Sequence, residues 1–248
     1  MSRPLFVAGA GALDGTVPGA ALTLDGDEGR HAATVRRIRA GEVVDVADGA
    51  GRVARCLVER VERDRLVLVA QALHDVPVPS PRLVLVQALA KGGRDEQAVE
   101  TATEFGVDEI VPWQAARSVV QWSGDRGERG RRRWEATALA AAKQSRRATV
   151  PVVRPLATTA DLARQAAAGE CLLVLHEEAT EPLSAVALPD GVDAVLLAVG
   201  PEGGIADDEL ARLVDAGARA LRLGPQVLRA SSAGPAALAV LSARLGRW

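Results

Sequence analysis

A short loop of glycines, one proline and one carboxylate is the feature of this sequence most suited to bind a ligand. The sequence GPEGG at residues 200–204 directly follows the apolar run 194–199. Glycines have no Cβ, so a ligand can approach the backbone N–H groups of such a loop closely. In an open α/β sheet, ligands bind at the carboxyl ends of strands, where loops of this kind lie. The sequence therefore predicts a small-molecule pocket at this loop.

The residues after the loop limit the charge of that ligand. Asp207, Asp208 and Glu209 follow it within a few positions. Acidic residues suit the first turn of a helix but repel a phosphate group placed there. We expect a ligand held by backbone contacts, such as a cofactor with an adenine, a ribose and a cationic sulfur. Residues 175–177 and 223–224 end two other apolar runs, so three loops are expected to meet at one pocket.

Arginine clusters are the second chemical feature. The chain has a formal net charge of −2, but residues 126–147 hold eight basic residues and only two acidic ones. A second cluster contains Arg30, Arg36, Arg37 and Arg39, with His31 among them. Arginine forks bind phosphate oxygens in pairs, and a local positive field attracts nucleic acid. A solvated helix face is the alternative interpretation of each cluster.

Composition excludes several classes of protein. With 248 residues, 48% hydrophobic and 25% charged, the chain is typical of a globular protein with a sizeable core. It has no apolar run near the roughly 20 residues of a membrane span and no apolar leader, so we expect a cytoplasmic protein. Cys56 and Cys171 lie alone in apolar runs and are expected to be buried and unpaired. Three histidines and two distant cysteines offer few ligands for a metal ion, and no metal site is predicted.

Periodicity predicts an α/β organisation with two domains. Residues 1–75 show short apolar runs separated by turn signals, which is typical of a small β domain, and the proline-rich stretch 76–81 marks a boundary. Residues 76–248 alternate strands and helices, which predicts a mainly parallel sheet covered on both faces. The predicted strands are 83–89, 108–111, 171–175, 194–199 and 220–223, and the predicted helices are 95–105, 131–143, 160–168, 207–216 and 232–245.

Common nucleotide-binding and hydrolase motifs are not found. The glycines at 9, 11 and 15 do not have dinucleotide-binding spacing, and Pro18 follows where that motif needs a helix. There is no P-loop and no nucleophile elbow of the Gly-x-Ser-x-Gly type. Trp134, beside three arginines, is expected to anchor its helix in the core or to stack on a nucleobase.

In their order along the chain, further motifs resemble those of one family. The chain resembles the bacterial SPOUT-class methyltransferases that modify 16S ribosomal RNA at N3 of a uridine, using S-adenosylmethionine. The matching stretches are residues 3–7, Arg30-His31, residues 35–37, Lys91-Gly92 with Arg94 and Glu96, residues 103–107, Arg117-Ser118, Arg133-Trp134, residues 143–146, residues 199–204, and Leu223-Gly224 with residues 227–229.

The resemblance implies a fold that periodicity does not reveal. It implies a PUA-like β-barrel over 1–75 and a SPOUT α/β domain over 76–248 whose C-terminal part is tied in a deep trefoil knot. The residues alone predict an ordinary open sheet, because threaded chains are rare. The resemblance also implies a homodimer, with 16S rRNA of the small ribosomal subunit as the partner and S-adenosylmethionine as the cofactor.

The resemblance also implies a set of site residues. Arg229 is assigned as the cation that stabilises charge on the uracil, and Glu202 as a base or a cofactor-orienting group. The cofactor-binding residues implied are Leu175, His176, Glu177, Val199, Gly200, Pro201, Gly203, Gly204, Leu223, Gly224, Val227, Leu228, Ser232 and Ala233. The RNA-binding residues implied are Arg30, His31, Arg36, Arg37, Arg39, Lys91, Arg94, Arg133, Gln144 and Arg146.

One stretch departs from the family pattern. The family commonly has Thr-Glu-Thr-Ala after the last Leu-Arg, whereas this chain has Ala230-Ser231-Ser232-Ala233. Ser232 can replace a threonine hydroxyl, but nothing at 230 or 231 replaces the carboxylate. Two alternatives therefore stay open: a SPOUT methyltransferase that acts on another RNA position, such as a 2′-hydroxyl, and an RNA-binding assembly factor that has lost catalysis.

Overall fold

The computed structural model describes residues 3–248. The chain forms two compact units. The first extends to Val78 and includes Ala142–Val150, and the second contains Pro79–Ala141 and Pro151–Trp248. The predicted domains, 1–75 and 76–248, place residues 142–150 in the second domain, whereas the structure places them in the first unit.

The first unit is built on a five-stranded sheet. Its strands, in the order β1-β3-β4-β5-β2 across the sheet, are β1 (Leu5–Val7), β2 (Ala21–Leu24), β3 (Val43–Ala47), β4 (Arg52–Val61) and β5 (Leu66–Asp75). β1 runs parallel to β3, and the other pairs are antiparallel. Alternate apolar residues point into a common core that contains Phe6, Val44, Val58 and Leu68. Helix α1 (Gly26–Arg30) continues into a π-helical turn, His31–Val35.

The segment Ala142–Val150 belongs to this unit through specific contacts. Thr149 forms isolated β-bridges with Gly49 and Ala50. The N–H of Val150 donates to the carbonyl oxygen of Gly49 at 2.8 Å. The ammonium group of Lys143 forms an ion pair with Glu28. A stretch far away in sequence thus completes the edge of the unit.

The second unit has a seven-stranded sheet that is parallel throughout. Its strands are β6 (Arg82–Ala88), β7 (Glu109–Gln114), β8 (Val152–Val153), β9 (Ala157–Thr158), β10 (Cys171–Leu175), β11 (Ala194–Val199) and β12 (Arg219–Leu221). The order is β12-β10-β11-β6-β7-β8, and β9 also pairs with β7. The predicted α/β class and parallel sheet are confirmed.

Five helices follow the predicted pattern closely. They are α2 (Arg94–Glu104), α3 (Gly124–Gln144), α4 (Thr159–Ala167), α5 (Asp207–Asp215) and α6 (Ala230–Arg244). α3 begins seven residues before the predicted start at Arg131. Its first turns contain glycines at 124, 127 and 130, and the low helix propensity of glycine argued against a helix there. α4 begins with a capping box in which Thr158 and Asp161 bind each other's backbone N–H.

Two apolar layers cover the second unit's sheet. Leu83 and Leu85 of β6 face one layer, and Val84 and Val86 face the other, as a central parallel strand requires. Trp134 is 1% exposed in the first layer, so its predicted core role is confirmed. Cys56 and Cys171 are buried and unpaired, as predicted. Within residues 3–248 no helix is both long and apolar enough to cross a membrane.

Candidate functional site

One cavity of the second unit collects the three loops that the sequence predicted would meet. It has a volume of about 380 Å³. The loops that follow β10, β11 and β12 line it, because the carboxyl ends of parallel strands share one edge of the sheet. The cavity is large enough for a nucleoside-sized ligand.

Most of the predicted cofactor residues line this cavity. Those that do are Leu175, His176, Glu177, Val199, Gly200, Pro201, Gly204, Leu223, Gly224, Val227, Leu228 and Ala233, together with Glu202 and Arg229. Gly203 and Ser232 do not line it. The cavity also contains Arg94, which was predicted to contact RNA, and four residues that sequence reasoning missed: Ile205, Arg222, Gln226 and Ala230. Each of these four lies next to a predicted residue, so adjacency in the loop was the available signal.

The glycine loop owes its shape to two of its glycines. A Cβ on Gly200 would lie 2.7 Å from Cγ1 of Ile205, so a side chain at this position would collide with the loop itself. Gly204 has a φ of +73°, in the left-handed region that favours glycine. Its N–H donates to the carbonyl oxygen of Pro201 at 2.9 Å. The tight turn over the cavity therefore requires glycine at 200 and favours glycine at 204.

Arg117 holds this loop from outside the cavity. Its Nη1 donates to the carbonyl oxygens of Gly203, at 3.2 Å, and Ile205, at 3.3 Å. Its Nη2 lies 3.8 Å from a carboxylate oxygen of Asp207, at the start of α5. Arg117 thus connects the end of the glycine loop to the helix that follows it.

A buried carboxylate in turn fixes the segment that carries Arg117. Glu209 is 7% exposed, and both of its oxygens lie 3.0 Å from the backbone nitrogen of Ala116. The hydroxyl of Thr159 also donates to Glu209 and accepts from Nε1 of Trp113 at 3.1 Å. The sequence suggested only a favourable charge at a helix N-terminus for Glu209, because its partners lie far away in the chain.

Glu202 is bound to the turn that precedes α2. Its Oε1 accepts from the backbone N–H of Lys91 and from Nη1 of Arg94, both at 3.1 Å. The Glu202 side chain is 20% exposed, and Arg94 lines the cavity beside it. The contact joins residues 111 positions apart and brings a predicted RNA-binding arginine, Arg94, to the glycine loop.

Arg229 provides a cation at the mouth of the cavity. It is the N-cap residue of α6, and its carbonyl oxygen accepts from the N–H groups of Ser232 and Ala233 at 2.8 and 2.9 Å. Its backbone is thereby fixed, while the side chain is exposed. Within residues 3–248, no carboxylate or other side chain pairs with its guanidinium group.

Backbone groups and a free carboxylate in the lining suit a ligand that carries hydroxyl and amino groups. Leu175, Val199 and Leu223 supply apolar walls, and the glycine loop supplies backbone. The carboxylate of Glu177 also lines the cavity and has no side-chain partner among residues 3–248. Three acidic residues occupy the first turn of α5, where a phosphate group would be repelled.

The predicted RNA-binding residues lie in both units. Arg30, His31, Arg36, Arg37, Arg39, Gln144 and Arg146 lie in the first, and Lys91, Arg94 and Arg133 lie in the second. Arg36, Arg37 and Arg39 are exposed and have no ion-pair partner among residues 3–248. Arg133 pairs with Glu96 at 2.9 Å and Arg30 with Asp27 at 3.6 Å. The rings of His31 and Phe6 form a T-shaped pair with centroids 6.2 Å apart.

The sequence matches two family models and several named relatives. Residues 78–242 match an RNA methyltransferase domain, and residues 24–71 match an RNA methyltransferase PUA domain. A ribosomal RNA small subunit methyltransferase E of Mycobacterium bovis is 50% identical over 234 residues, which cover 93% of this chain and 89% of the relative. The chain belongs to this family. The resemblance found in the motifs is thereby confirmed.

Further proteins are similar to this chain in sequence or in fold. The Bacillus subtilis member is 29% identical over 229 residues, which cover 89% of each chain. The Neisseria gonorrhoeae member, solved bound to S-adenosylmethionine, is 25% identical, has a TM-score of 0.83 and covers 98% of both chains. A methyltransferase of Legionella pneumophila, solved with the bound cofactor SAM, is 28% identical, has a TM-score of 0.82 and also covers 98% of both chains.

Proposed function

We propose that this protein transfers a methyl group from S-adenosylmethionine to N3 of a uridine in 16S rRNA. Membership of the small subunit methyltransferase E family supports rRNA methylation, and the bound cofactor of its Neisseria and Legionella neighbours supports the methyl donor. The observation that carries the chemistry is Arg229, an unpaired cation on the same cavity as the glycine loop.

The cavity of this chain fits the proposed cofactor. Backbone groups of Leu175, Val199, Gly200, Gly204, Leu223 and Leu228 would hold it. Glu177 is the carboxylate free to bind a hydroxyl or an amino group. S-adenosylmethionine supplies an electrophilic methyl group on a sulfonium when it is bound. S-adenosylmethionine has no phosphate group, so the acidic first turn of α5 would not repel it.

Arg229 would make N3 of the uridine a nucleophile. The imide N–H of uracil is a weak acid, so the nitrogen attacks only as its proton leaves. A cation beside the uracil oxygens stabilises the negative charge that develops on them. The fixed N-cap geometry places the Arg229 backbone, and the free guanidinium group can then reach the substrate without breaking an ion pair.

Glu202 is the carboxylate we assign to the departing proton or to orientation of the cofactor. Its Oε1 is occupied by the Lys91 N–H and by Arg94, so Oε2 is the atom that would accept a proton. The remaining contribution is positioning, in which the cavity holds the methyl group in line with N3.

RNA recognition is assigned to ten predicted residues of the two units, most of them basic. Arg30, His31, Arg36, Arg37, Arg39, Lys91, Arg94, Arg133, Gln144 and Arg146 would contact phosphates and the shape of folded RNA. Such binding should weaken steeply as salt rises, because phosphate contacts release counterions. A flat salt dependence of RNA affinity would contradict this assignment.

The finer architecture is also a proposal. We assign the first unit as a closed PUA-like barrel and the second as a SPOUT domain with a trefoil knot. The position of α6 supports the knot: β12 lies at the sheet edge, whereas α6 packs against the interior strands β11 and β6. We also propose that the protein is cytoplasmic and forms a homodimer. Light scattering during gel filtration tests the homodimer directly. A stable monomer at micromolar concentration would contradict the dimer.

The decisive experiment is methyl transfer from labelled S-adenosylmethionine to unmodified small ribosomal subunits, with free rRNA and tRNA in parallel. Nucleoside mass spectrometry then identifies the product. We expect label in 3-methyluridine on the subunits. Label in a 2′-O-methylated nucleoside would replace the proposed position. Cofactor binding without transfer to any RNA would point to a missing partner or another state of the substrate. The absence of both transfer and cofactor binding would favour the assembly-factor alternative.

A further inference from the structure

A second cavity of the second unit has no role in the proposed methyl transfer, and among the residues assigned to RNA recognition only Arg133 lines it. It has a volume of about 410 Å³ and lies between the turn before α2 and the first half of α3. Trp122, Arg126, Arg129 and Arg133 line it, with Glu96 on the opposite side. We propose that it binds a nucleotide of the substrate RNA that flanks the methylated uridine. This inference rests on the proposed function.

Trp122 is fixed in this cavity by the backbone of α3. A Cβ on Gly130 would lie 2.8 Å from the indole nitrogen, and a Cβ on Gly127 would lie 3.4 Å from Cβ of Trp122. Only glycine at 130 lets the indole ring lie against the helix. A glycine inside a helix costs about 1 kcal/mol relative to alanine, so the helix is destabilised to admit this ring.

Two further contacts hold the tryptophan. The backbone N–H of Trp122 donates to Oε1 of Gln114 at 3.1 Å, and Nε2 of Gln114 donates to the carbonyl oxygen of Val120 at 3.0 Å. The ring also meets Trp134 edge-on, with centroids 5.3 Å apart. Trp122 remains partly exposed although it is held on several sides. A rigid, partly exposed indole is a suitable surface for a nucleobase, which binds aromatic rings by stacking.

The arginines that line the cavity share one face of α3. Positions 126, 129 and 133 are separated by three and four residues, which places them one above another. Arg133 pairs with Glu96 at 2.9 Å. Arg126 and Arg129 are exposed, and their guanidinium groups have no partner among residues 3–248. Two free guanidinium groups beside a fixed indole match a nucleotide, which has a phosphate and a base.

One turn of the chain lines both cavities. Arg94 lines the cofactor cavity, whereas Gly92, Gly93, Asp95 and Glu96 line the second. Both glycines have positive φ, and a Cβ on either would meet no atom within 4 Å, so the backbone there is open to a ligand. The adjacency of the two cavities fits consecutive nucleotides of one RNA strand, one methylated and the other bound by Trp122 and the arginines.

The first test compares variants in the methylation of small ribosomal subunits. We expect Arg126→Ala, Arg129→Ala and Trp122→Leu each to raise the KM for subunits about tenfold, the loss expected from one phosphate contact or one stacked base. The Kd for S-adenosylmethionine should stay within twofold. Arg132→Ala is the matched control, because Arg132 is exposed on the same helix but does not line the cavity. A KM that does not differ from this control in any of the three variants would overturn the inference.

The second test does not depend on methylation. Subunits are crosslinked to the wild-type protein by ultraviolet light and digested with trypsin. We expect a nucleotide adduct on the peptide of residues 118–126, which contains Trp122. Formation of 3-methyluridine without this adduct would retain the proposed function and overturn the second site. The adduct without methylation of any RNA would retain the site and overturn the proposed function.

Discussion

Glu209 lies with both carboxylate oxygens 3.0 Å from the backbone nitrogen of Ala116, and so fixes the residue next to Arg117. Arg117 in turn binds the carbonyl oxygens of Gly203 and Ile205. A helix, a loop after β7 and the glycine loop are thereby joined in one network. The shape of the cavity depends on residues that never touch its ligand.

Removing the Glu209 carboxylate should destabilise the protein. In Glu209→Ala the Ala116 N–H and the Thr159 hydroxyl lose a buried acceptor, which costs about 1–3 kcal/mol of the free energy of unfolding. Urea denaturation measures this loss. Glu209→Gln should lose less, because its amide oxygen can still accept. Asp208→Ala, in the same turn but exposed, is the control and should lose less than about 1 kcal/mol. An equal loss in both alanine variants would contradict the network.

Arg117→Ala should weaken cofactor binding without unfolding the protein. The glycine loop loses two hydrogen bonds from a charged donor, worth about 1.5–3 kcal/mol each where fully formed. Because Arg117 is exposed, we expect about a tenfold rise in the Kd for S-adenosylmethionine, measured by isothermal titration calorimetry. Arg164→Ala, on the exposed face of α4, should leave the Kd unchanged. An unchanged Kd in Arg117→Ala would show that the loop keeps its shape without the arginine.

Arg229→Ala should separate catalysis from binding. The variant loses the cation proposed to stabilise the uracil anion, so kcat should fall by about 10² to 10³, as on removal of one preorganised donor. The Kd for S-adenosylmethionine should stay within a few fold. Arg212→Ala, an exposed arginine in the last turn of α5, should behave as wild type. Undiminished turnover would remove Arg229 from the mechanism.

Both thiols should be unreactive in the folded protein. Burial, with a smaller contribution from Asp45, raises the pKa of Cys56 to about 11, and burial also raises the pKa of Cys171. Only the thiolate reacts with a disulfide reagent, so at pH 8 neither residue should be modified over minutes. In guanidinium chloride both should react at once. Rapid modification of the native protein would show that one of these cores opens readily.

The first turn of α4 should lose stability in acid. The Thr158 hydroxyl, and then its backbone N–H, lower the pKa of Asp161, with Arg164 also contributing. A lowered pKa in the folded state adds stability above the unfolded value of about 3.9, and this stability is lost as pH falls through the folded value. The free energy of unfolding of wild type minus that of Asp161→Asn should therefore shrink below pH 4. A difference that is constant from pH 7 to pH 2 would contradict the capping role.

Local patterns predicted the elements but not the contacts between distant ones. The strands β10 and β11 were predicted at their observed bounds, because strands buried on both faces are continuous apolar runs. The glycine loop was also predicted from a local pattern, since several glycines directly follow the apolar run of a strand. In contrast, the bonds of Glu202 to Lys91 and of Glu209 to Ala116 join residues 111 and 93 positions apart, and no spacing rule signals such pairs.

The return of residues 142–150 to the first unit restricts how this protein can be divided or recombined. A gene fragment that stops at residue 78 encodes all five strands of the first sheet but omits Thr149 and Val150, which bind its Gly49 edge. A hybrid made at that junction would therefore pair each parent's sheet with the other parent's edge segment. Segments exchanged between relatives must therefore include both the residues up to 78 and residues 142–150. Sequence changes in one of these two segments have to be matched by changes in the other.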